Sequence, residues 1–231
     1  MQAVSLSFFR FDGVGERLWA FSQMQFARPG LARLPGIGFH KLFGTGTGEG
    51  FTPVPNFGVY AVLATWPGLE AARERVASGE VYRRYRDHAN EACTIFMSAV
   101  SSRGRWDARE PFEAESDGEL PRPIAVITRA TLKKKHVLDF WGNTPGISVT
   151  VREQDRLRFK MGMGEVPWLQ QVTFSIWDDP EAMKAFAYGS ASHAGAIKGV
   201  RQNGWFKEEL YARFRVLGCE GTWQGREPLA A

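Results

Sequence analysis

Gly104-Arg105-Trp106-Asp107-Ala108-Arg109-Glu110-Pro111-Phe112 and Gly221-Thr222-Trp223-Gln224-Gly225-Arg226-Glu227-Pro228-Leu229 are two copies of one ending, the pattern Gly-x-Trp-x-x-Arg-Glu-Pro followed by an apolar residue. Upstream of each copy, other landmarks recur. Gly46-Thr47-Gly48-Glu49 matches Gly162-Met163-Gly164-Glu165, and the run ending at Trp66 before Pro67 matches the run ending at Trp177 before Pro180. The separation stays at roughly 111 to 117 residues, so a tandem duplication is the simplest account.

Each copy then reads by periodicity. The first predicts a strand over Val4 to Phe11, a helix over Gly15 to Arg33, strands over Phe39 to Phe43 and Val59 to Trp66, a helix over Leu69 to Ala89 and a strand over Thr94 to Val100. The second repeats the order: a strand over Ile124 to Ala130, a helix from near Lys134, strands over Arg156 to Met161 and Gln171 to Trp177, a helix or helix pair over Pro180 to Glu209, and a strand over Tyr211 to Leu217. This βαββαβ order is the ferredoxin-like pattern, a four-stranded antiparallel sheet with its helices on one face. The expected architecture is α+β, two tandem ferredoxin-like units forming a single-chain version of the dimeric α/β barrel. Residues 1–112 are expected to form the first unit, 113–123 an acidic then proline-rich linker, and 124–231 the second unit, the one expected to bear a cofactor.

Strand alternation in the second half separates two sets of side chains. Leu157, Phe159, Met161, Val172, Phe174, Ile176, Ala212, Phe214 and Val216 point one way and are expected to meet the helices. Arg156, Arg158, Lys160, Gln171, Thr173, Ser175, Tyr211, Arg213 and Arg215 point the other way, toward the second sheet or solvent.

The composition is that of a globular chain. In 231 residues, 44% are hydrophobic and 23% charged, which excludes a disordered or coiled-coil protein. Seventeen Phe, eight Trp and five Tyr make 13% aromatic, a surplus that hints at a binding cavity walled by flat apolar side chains. The net charge of +4 is spread along the chain, with Lys133-Lys134-Lys135 the one tight basic cluster, so no nucleic-acid stripe is expected. Mild attraction to an anionic membrane surface is compatible with it. The two cysteines, Cys93 and Cys219, without a Cys-x-x-Cys pair or a secretory leader, point to a reducing, cytoplasmic compartment. No run reaches the roughly 18 apolar residues of a membrane span, so contact with the inner or photosynthetic membrane would be peripheral.

Common catalytic signatures are missing. The glycine-rich stretch Gly44 to Gly50 lacks Gly-Lys-Ser/Thr and leads through Pro53 and Pro55 into a strand, so it reads as a hairpin loop. Neither Gly-x-Ser-x-Gly nor His-Glu-x-x-His occurs. Among the histidines, His136 reads as solvated, His88 as a cation at a helix carboxyl end, and His40 as a strand residue facing an internal space. His193 stands apart. Its neighbours Gly189, Ser190, Ala191, Ser192, Ala194, Gly195 and Ala196 are all small, and helix-interior glycines cost about 1 kcal/mol each relative to Ala. Two readings stay open: a clearing for a planar macrocycle with His193 as axial ligand, or a close helix-to-sheet contact with a hydrogen-bonded histidine. His193 aligns near Tyr82 of the first copy, so only the second half would hold a metal.

The runs Val4 to Phe11, Gly48 to Asn56, Gly164-Glu165-Val166-Pro167 and Trp205 to Leu217, continuing through Glu220-Gly221-Thr222-Trp223 to Pro228-Leu229, resemble the spheroidene monooxygenase family. The resemblance covers nearly the whole chain. It implies an O2-dependent oxygenase that introduces a keto group at C-2 of spheroidene-like acyclic carotenoids by successive hydroxylation. It further implies haem b as cofactor and reduced ferredoxin, or a similar protein, as electron donor. By analogy with haem proteins of paired ferredoxin-like domains, the group lies between sheet and helices of the second unit, with His193 as its ligand. Phe159, Met161, Phe174 and Phe214 would wall it, and Arg213 would pair with a propionate; no catalytic acid is identifiable. A haem peroxidase or dehydratase on the same barrel, and a haem-free binder of an apolar ligand, stay open as alternatives. Further homo-oligomerisation is compatible with each.

Overall fold

The computed structural model describes residues 1–48, 52–115, 120–142, 156–189 and 204–229. Strand β1 (Ala3–Arg10) is followed by helices α1 (Val14–Phe26) and α2 (Arg28–Ala32), then by β2 (His40–Gly46) and β3 (Pro55–Trp66). Helices α3 (Leu69–Ser78) and α4 (Glu80–His88) precede β4 (Glu91–Gly104). The second half contains β5 (Ile124–Leu132), a 3-10 turn (Lys134–His136), helical residues 137–142 (α5), β6 (Leu157–Gly164), β7 (Gln170–Trp177), α6 (Pro180–Gly189) and β8 (Phe206–Gly221).

The strands close into one antiparallel barrel in the order β1-β3-β2-β6-β7-β5-β8-β4. The protein is therefore α+β. Each half contributes its strands in the same sequence of neighbours, β4-β1-β3-β2 and β8-β5-β7-β6, and the halves meet at two unequal seams. Between β4 and β8 the pairing runs from Cys93↔Gly221 to Gly104↔Leu210, whereas β2 and β6 pair only at Gly44↔Gly164 and Thr45↔Met163.

Several elements differ from the sequence expectation for identifiable reasons. The first expected helix divides at Ala27, where Pro29 opens α2. The second divides at Gly79, whose amide bonds Arg75 O while its own backbone turns extended; a Cβ there would sit 2.4 Å from that carbonyl. Residues 206–209, read as the end of a helix, belong to β8: Glu208 pairs with Thr131 and Phe206 with Leu132, so cross-strand bonding overrides the local helix propensity of Lys-Glu-Glu.

The strand phase in the second half is the reverse of the expectation. Phe159, Met161, Val172, Phe174, Ile176, Ala212 and Phe214 join Val4, Leu6, Phe8, Phe43 and Ile95 in one core that fills the barrel interior. Phe8 lies 5.2 Å from Phe159, and Phe112 lies 5.0 Å from Phe214, so the two halves interlock through these rings. A closed barrel must fill its axis with apolar side chains, and that demand outranks the helix side. The polar set, Lys160, Gln171, Thr173, Ser175, Arg213 among it, faces outward.

In the first half the outward face is apolar as well. Phe9, Leu42, Tyr60, Val62, Trp66 and Phe96 pack against Ala20, Leu31, Ala72, Val76, Tyr82 and Tyr85 from α1 to α4. Among the described residues of the second half, the corresponding packing is a small cluster, Ile124 and Trp177 against Ala182 and Met183 of α6, with Trp177 stacked on Phe186 at 5.1 Å.

Candidate functional site

The repeated endings fold as matching tight hairpins, each closed by a bridge between its Trp and Arg: Trp106↔Arg109 and Trp223↔Arg226. The central residues Asp107, Ala108, Gln224 and Gly225 all have positive φ, so two amides in each turn point the same way and form an anion-binding nest. Each nest is filled by a carboxylate from the other half. Glu208 accepts from the amides of Asp107 (3.0 Å) and Ala108 (2.7 Å); Glu91 accepts from Gln224 (3.0 Å) and Gly225 (2.8 Å). Burial raises both carboxyls, but these amides, with Arg129 beside Glu208 and Thr222 and Arg10 beside Glu91, outweigh it and hold both below the ordinary value.

This reciprocity places the two halves in register. Glu91 opposes Arg10 and Glu208 opposes Thr131, so Phe8 on β1 occupies the place of Arg129 on β5, and Trp66 that of Trp177. The differences between matched positions then stand out. In the barrel, Phe8 packs 5.7 Å from Trp223, while Arg129 lies 5.6 Å over Trp106. The Arg129 side chain is only 1% exposed and pairs with Glu208 and Asp107. Lys41 pairs with Asp107 and, at 2.5 Å, with Glu165, whose other oxygen accepts from Trp106 Nε1 at 2.6 Å. These groups form a charged cluster that ties the two halves together at one barrel mouth.

On the outward face the differences are larger. Phe9, Leu42, Tyr60, Val62 and Phe96 of the first half correspond by register to Ala130, Gly162, Gln171, Thr173 and Arg213 of the second. Thr128 and Thr173 hydrogen-bond across this face, and Lys160 lies on it, buried. At these positions large apolar groups are exchanged for small, polar or cationic ones. Among the described residues the face carries cations at Lys160 and Arg213.

A groove of about 570 Å³ adjoins this face at the short β2–β6 seam, and Gln171 belongs to both. Its walls include Phe21, Phe26, Phe57, Met163, Trp141 and Trp168, with Glu165 as a polar group at the charged cluster. Its loop is the glycine-rich hairpin expected from sequence, closed by Thr47 N to Val54 O at 2.8 Å.

The sequence-derived site residues separate under this geometry. His193 lies outside the described residues. Phe159, Met161, Phe174 and Phe214 line the barrel interior and cannot reach a group on the helix side of the sheet, a correction that follows from the reversed strand phase. Arg213 does lie on the outward face. Among the other histidines, His88 closes α4, stacks on Trp19 at 3.9 Å and contacts Glu16 at 2.6 Å. His136 is stacked on Trp205 rather than solvated. His40 faces outward, because Phe39 just before β2 and Phe43 within it pack into the barrel interior. Among the described residues no cluster of His, Cys, Asp or Glu is placed to hold a bare metal ion. Sequence reading missed the Lys41–Glu165 and Arg129–Glu208 pairs and the approach of Cys93 to Cys219, whose sulfurs are 3.3 Å apart across β4 and β8. Aligning Phe8 with Arg129 is the signal that would have exposed the Arg129–Glu208 pair.

No protein-family profile matches the chain. In fold it is similar to aldoxime dehydratase, whose butyraldoxime complex superposes with a TM-score of 0.62 at 10% identity, covering 93% of this chain and 80% of that one. A second aldoxime dehydratase structure gives 0.60 at 12% identity, covering 93% and 82%. In sequence it is 47% identical to spheroidene monooxygenase of Cereibacter sphaeroides over 230 residues, covering 99% of this chain and 71% of that protein. The Rhodobacter capsulatus protein of the same name is 46% identical, covering 100% and 97%, and that of Rubrivivax gelatinosus 31%, covering 91% and 80%. With identity of this extent running along essentially its whole length, the chain is a monooxygenase and belongs to the spheroidene monooxygenase family.

Proposed function

We propose that this protein is a haem-dependent carotenoid monooxygenase that introduces a keto group at C-2 of a spheroidene-like acyclic carotenoid. The carotenoid class comes from the names of its relatives, and the observation that carries the assignment to this chain is their near full-length identity. Each round consumes one O2, two electrons and two protons, converting a C–H bond to C–OH and releasing one water. A second round at the same carbon gives a gem-diol, which loses water to the ketone. Electrons come from reduced ferredoxin or a similar donor.

The barrel is read here as a tandem duplication, two ferredoxin-like units over 1–112 and 124–231 joined by 113–123. The reciprocal Glu91 and Glu208 nests and the repeated strand order support this reading. Only the second unit is adapted to a cofactor. The residues described on its outward face suit haem: Ala130, Gly162 and Thr173 are small, and Lys160 and Arg213 would supply cations for two propionates. His193, in a run of small residues, is the assigned ligand. Bound there, haem supplies O2 activation. The chain's own residues bind and orient the substrate: the groove between β2 and β6 takes an apolar chain, and its aromatic walls exclude water from the reacting carbon.

The test is the optical spectrum of the purified protein, oxidised, dithionite-reduced and CO-bound, beside His193→Ala. A Soret band in the parent that is lost or displaced in the variant is expected. Absence of haem binding by the parent would overturn the cofactor assignment, and an unchanged band in the variant would overturn the ligand.

A further inference from the structure

Helix α1 is amphipathic in an inverted sense. It buries Ala20 and Gln23 yet presents Val14, Leu18 and Phe21, spaced for one face, to solvent, with Leu18 65% exposed. The exposed face continues. The Phe21 ring meets Phe57 edge-on at 5.7 Å, and Val54 of the same hairpin is exposed. Trp168 donates from Nε1 to Pro53 O at 2.8 Å, and Trp141 of α5 donates to Trp168 O at 3.2 Å, so the hairpin after β6 and α5 join the same surface. On α5, Leu138 is 86% exposed. Immediately before it, Lys133, Lys134 and Lys135 are all exposed. Contiguous apolar surface of this extent marks an interaction face, and here it surrounds the mouth of the groove.

We propose that this face docks on an anionic lipid bilayer, laying α1 and the two hairpins into the interface so that the groove opens directly onto the acyl region. The choice of partner rests on the charge and residue types: apolar side chains and an indole in the contact plane, flanked by a lysine triplet that complements anionic headgroups. It also rests on the carotenoid reading, because a hydrocarbon substrate resides in the bilayer and reaches the groove from there without crossing water. No described helix is long and apolar enough to cross a membrane, so the contact is peripheral in its helical elements.

The test is flotation of the full chain with vesicles of phosphatidylcholine alone and of equal phosphatidylcholine and phosphatidylglycerol, both free of carotenoid. Binding to the anionic vesicles is expected. The pair Leu18→Asp and Leu138→Asp, neither of which lines the groove, lowers the partition coefficient at least about tenfold on both vesicles. Lys133→Gln, Lys134→Gln and Lys135→Gln together reduce it on anionic vesicles alone, about fivefold per lysine. Circular dichroism establishes that the variants fold. No partition by the parent, or partition that the leucine substitutions leave unchanged, overturns the proposal; so does a dimer in light scattering that those substitutions dissociate. Turnover of detergent-dispersed carotenoid separates this proposal from the function it rests on. Oxygenation in detergent without vesicle binding removes the docking face and leaves the function; vesicle binding without any oxygenation does the reverse.

Discussion

A large side chain on the outward face of the second half is the sharpest structural test of the proposed haem position. Ala130 occupies the place of Phe9, which is 1% exposed and lies 4.9 Å from Tyr85 in the packed first half. Ala130→Phe therefore puts into the second half the ring that the first half already accommodates. A buried phenyl ring covers about 150 Å² of apolar surface, which at about 25 cal/mol per Å² is about 4 kcal/mol, and about 3 kcal/mol after the ring is ordered. A planar group that must displace this ring loses that amount, or about a hundredfold in affinity. The apoprotein gains it, raising Tm by about 6 °C or more for a chain of this size. Haemin titration followed at the Soret band, with thermal denaturation of the apoprotein, reads both signs. Unchanged haemin affinity together with a lowered Tm would refute the reasoning, since the face would then be an ordinary, already filled core.

Other consequences follow from the barrel itself. Arg129→Ala leaves Glu208 and Asp107 without their buried cation and is expected to cost about 3 kcal/mol in urea denaturation; a loss below about 1 kcal/mol would mean that the cluster contributes little. Glu91 and Glu208 both have carboxyls held below their ordinary value of 4.5. Their contribution is thus present above that value and lost as pH falls through the lower folded-state value. Glu91→Gln and Glu208→Gln should each flatten the acid limb of a stability-against-pH curve, and an unaltered limb would contradict the nest assignment. The hydrogen bond to Cys219, with burial, pushes the Cys93 thiol up, so it should resist alkylation in the native state. Mild oxidation by hydrogen peroxide should instead join Cys93 to Cys219, two thiols losing two hydrogens as the peroxide becomes two waters. Mass spectrometry showing sulfinic acid without the cross-link would contradict the pairing.

The repeated strand order was legible because it is written locally, in runs such as Val4 to Phe9 and Gln171 to Trp177 and in the two Trp-containing endings. Which face turns inward was not. Alternation divides Phe174 from Thr173 but does not say which of them meets the barrel axis, and only closure against Phe8 and Phe112 decides it. The cluster joining Lys41 to Glu165 and the approach of Cys93 to Cys219 arise across the seams, from residues more than a hundred positions apart, where no local pattern exists. The contrast between the outward faces of the two halves was half-visible. Phe9 against Ala130 and Phe96 against Arg213 are contrasts present in the repeat, but their register needed the Glu91 and Glu208 anchors. The inverted face of α1 was hidden for a related reason: hydrophobic spacing over Val14, Leu18 and Phe21 reads as a core stripe until the fold turns it outward.

The most direct test of the account is incubation of the haem-loaded protein with spheroidene in detergent, a reduced ferredoxin system and isotopically heavy O2, with mass analysis of the carotenoid. The account predicts a ketone at C-2 carrying heavy oxygen, formed through a labelled alcohol and dependent on both O2 and reductant. A ketone whose oxygen comes from water throughout, or a carotenoid left unchanged while haem, O2 and electrons are all supplied, would contradict it.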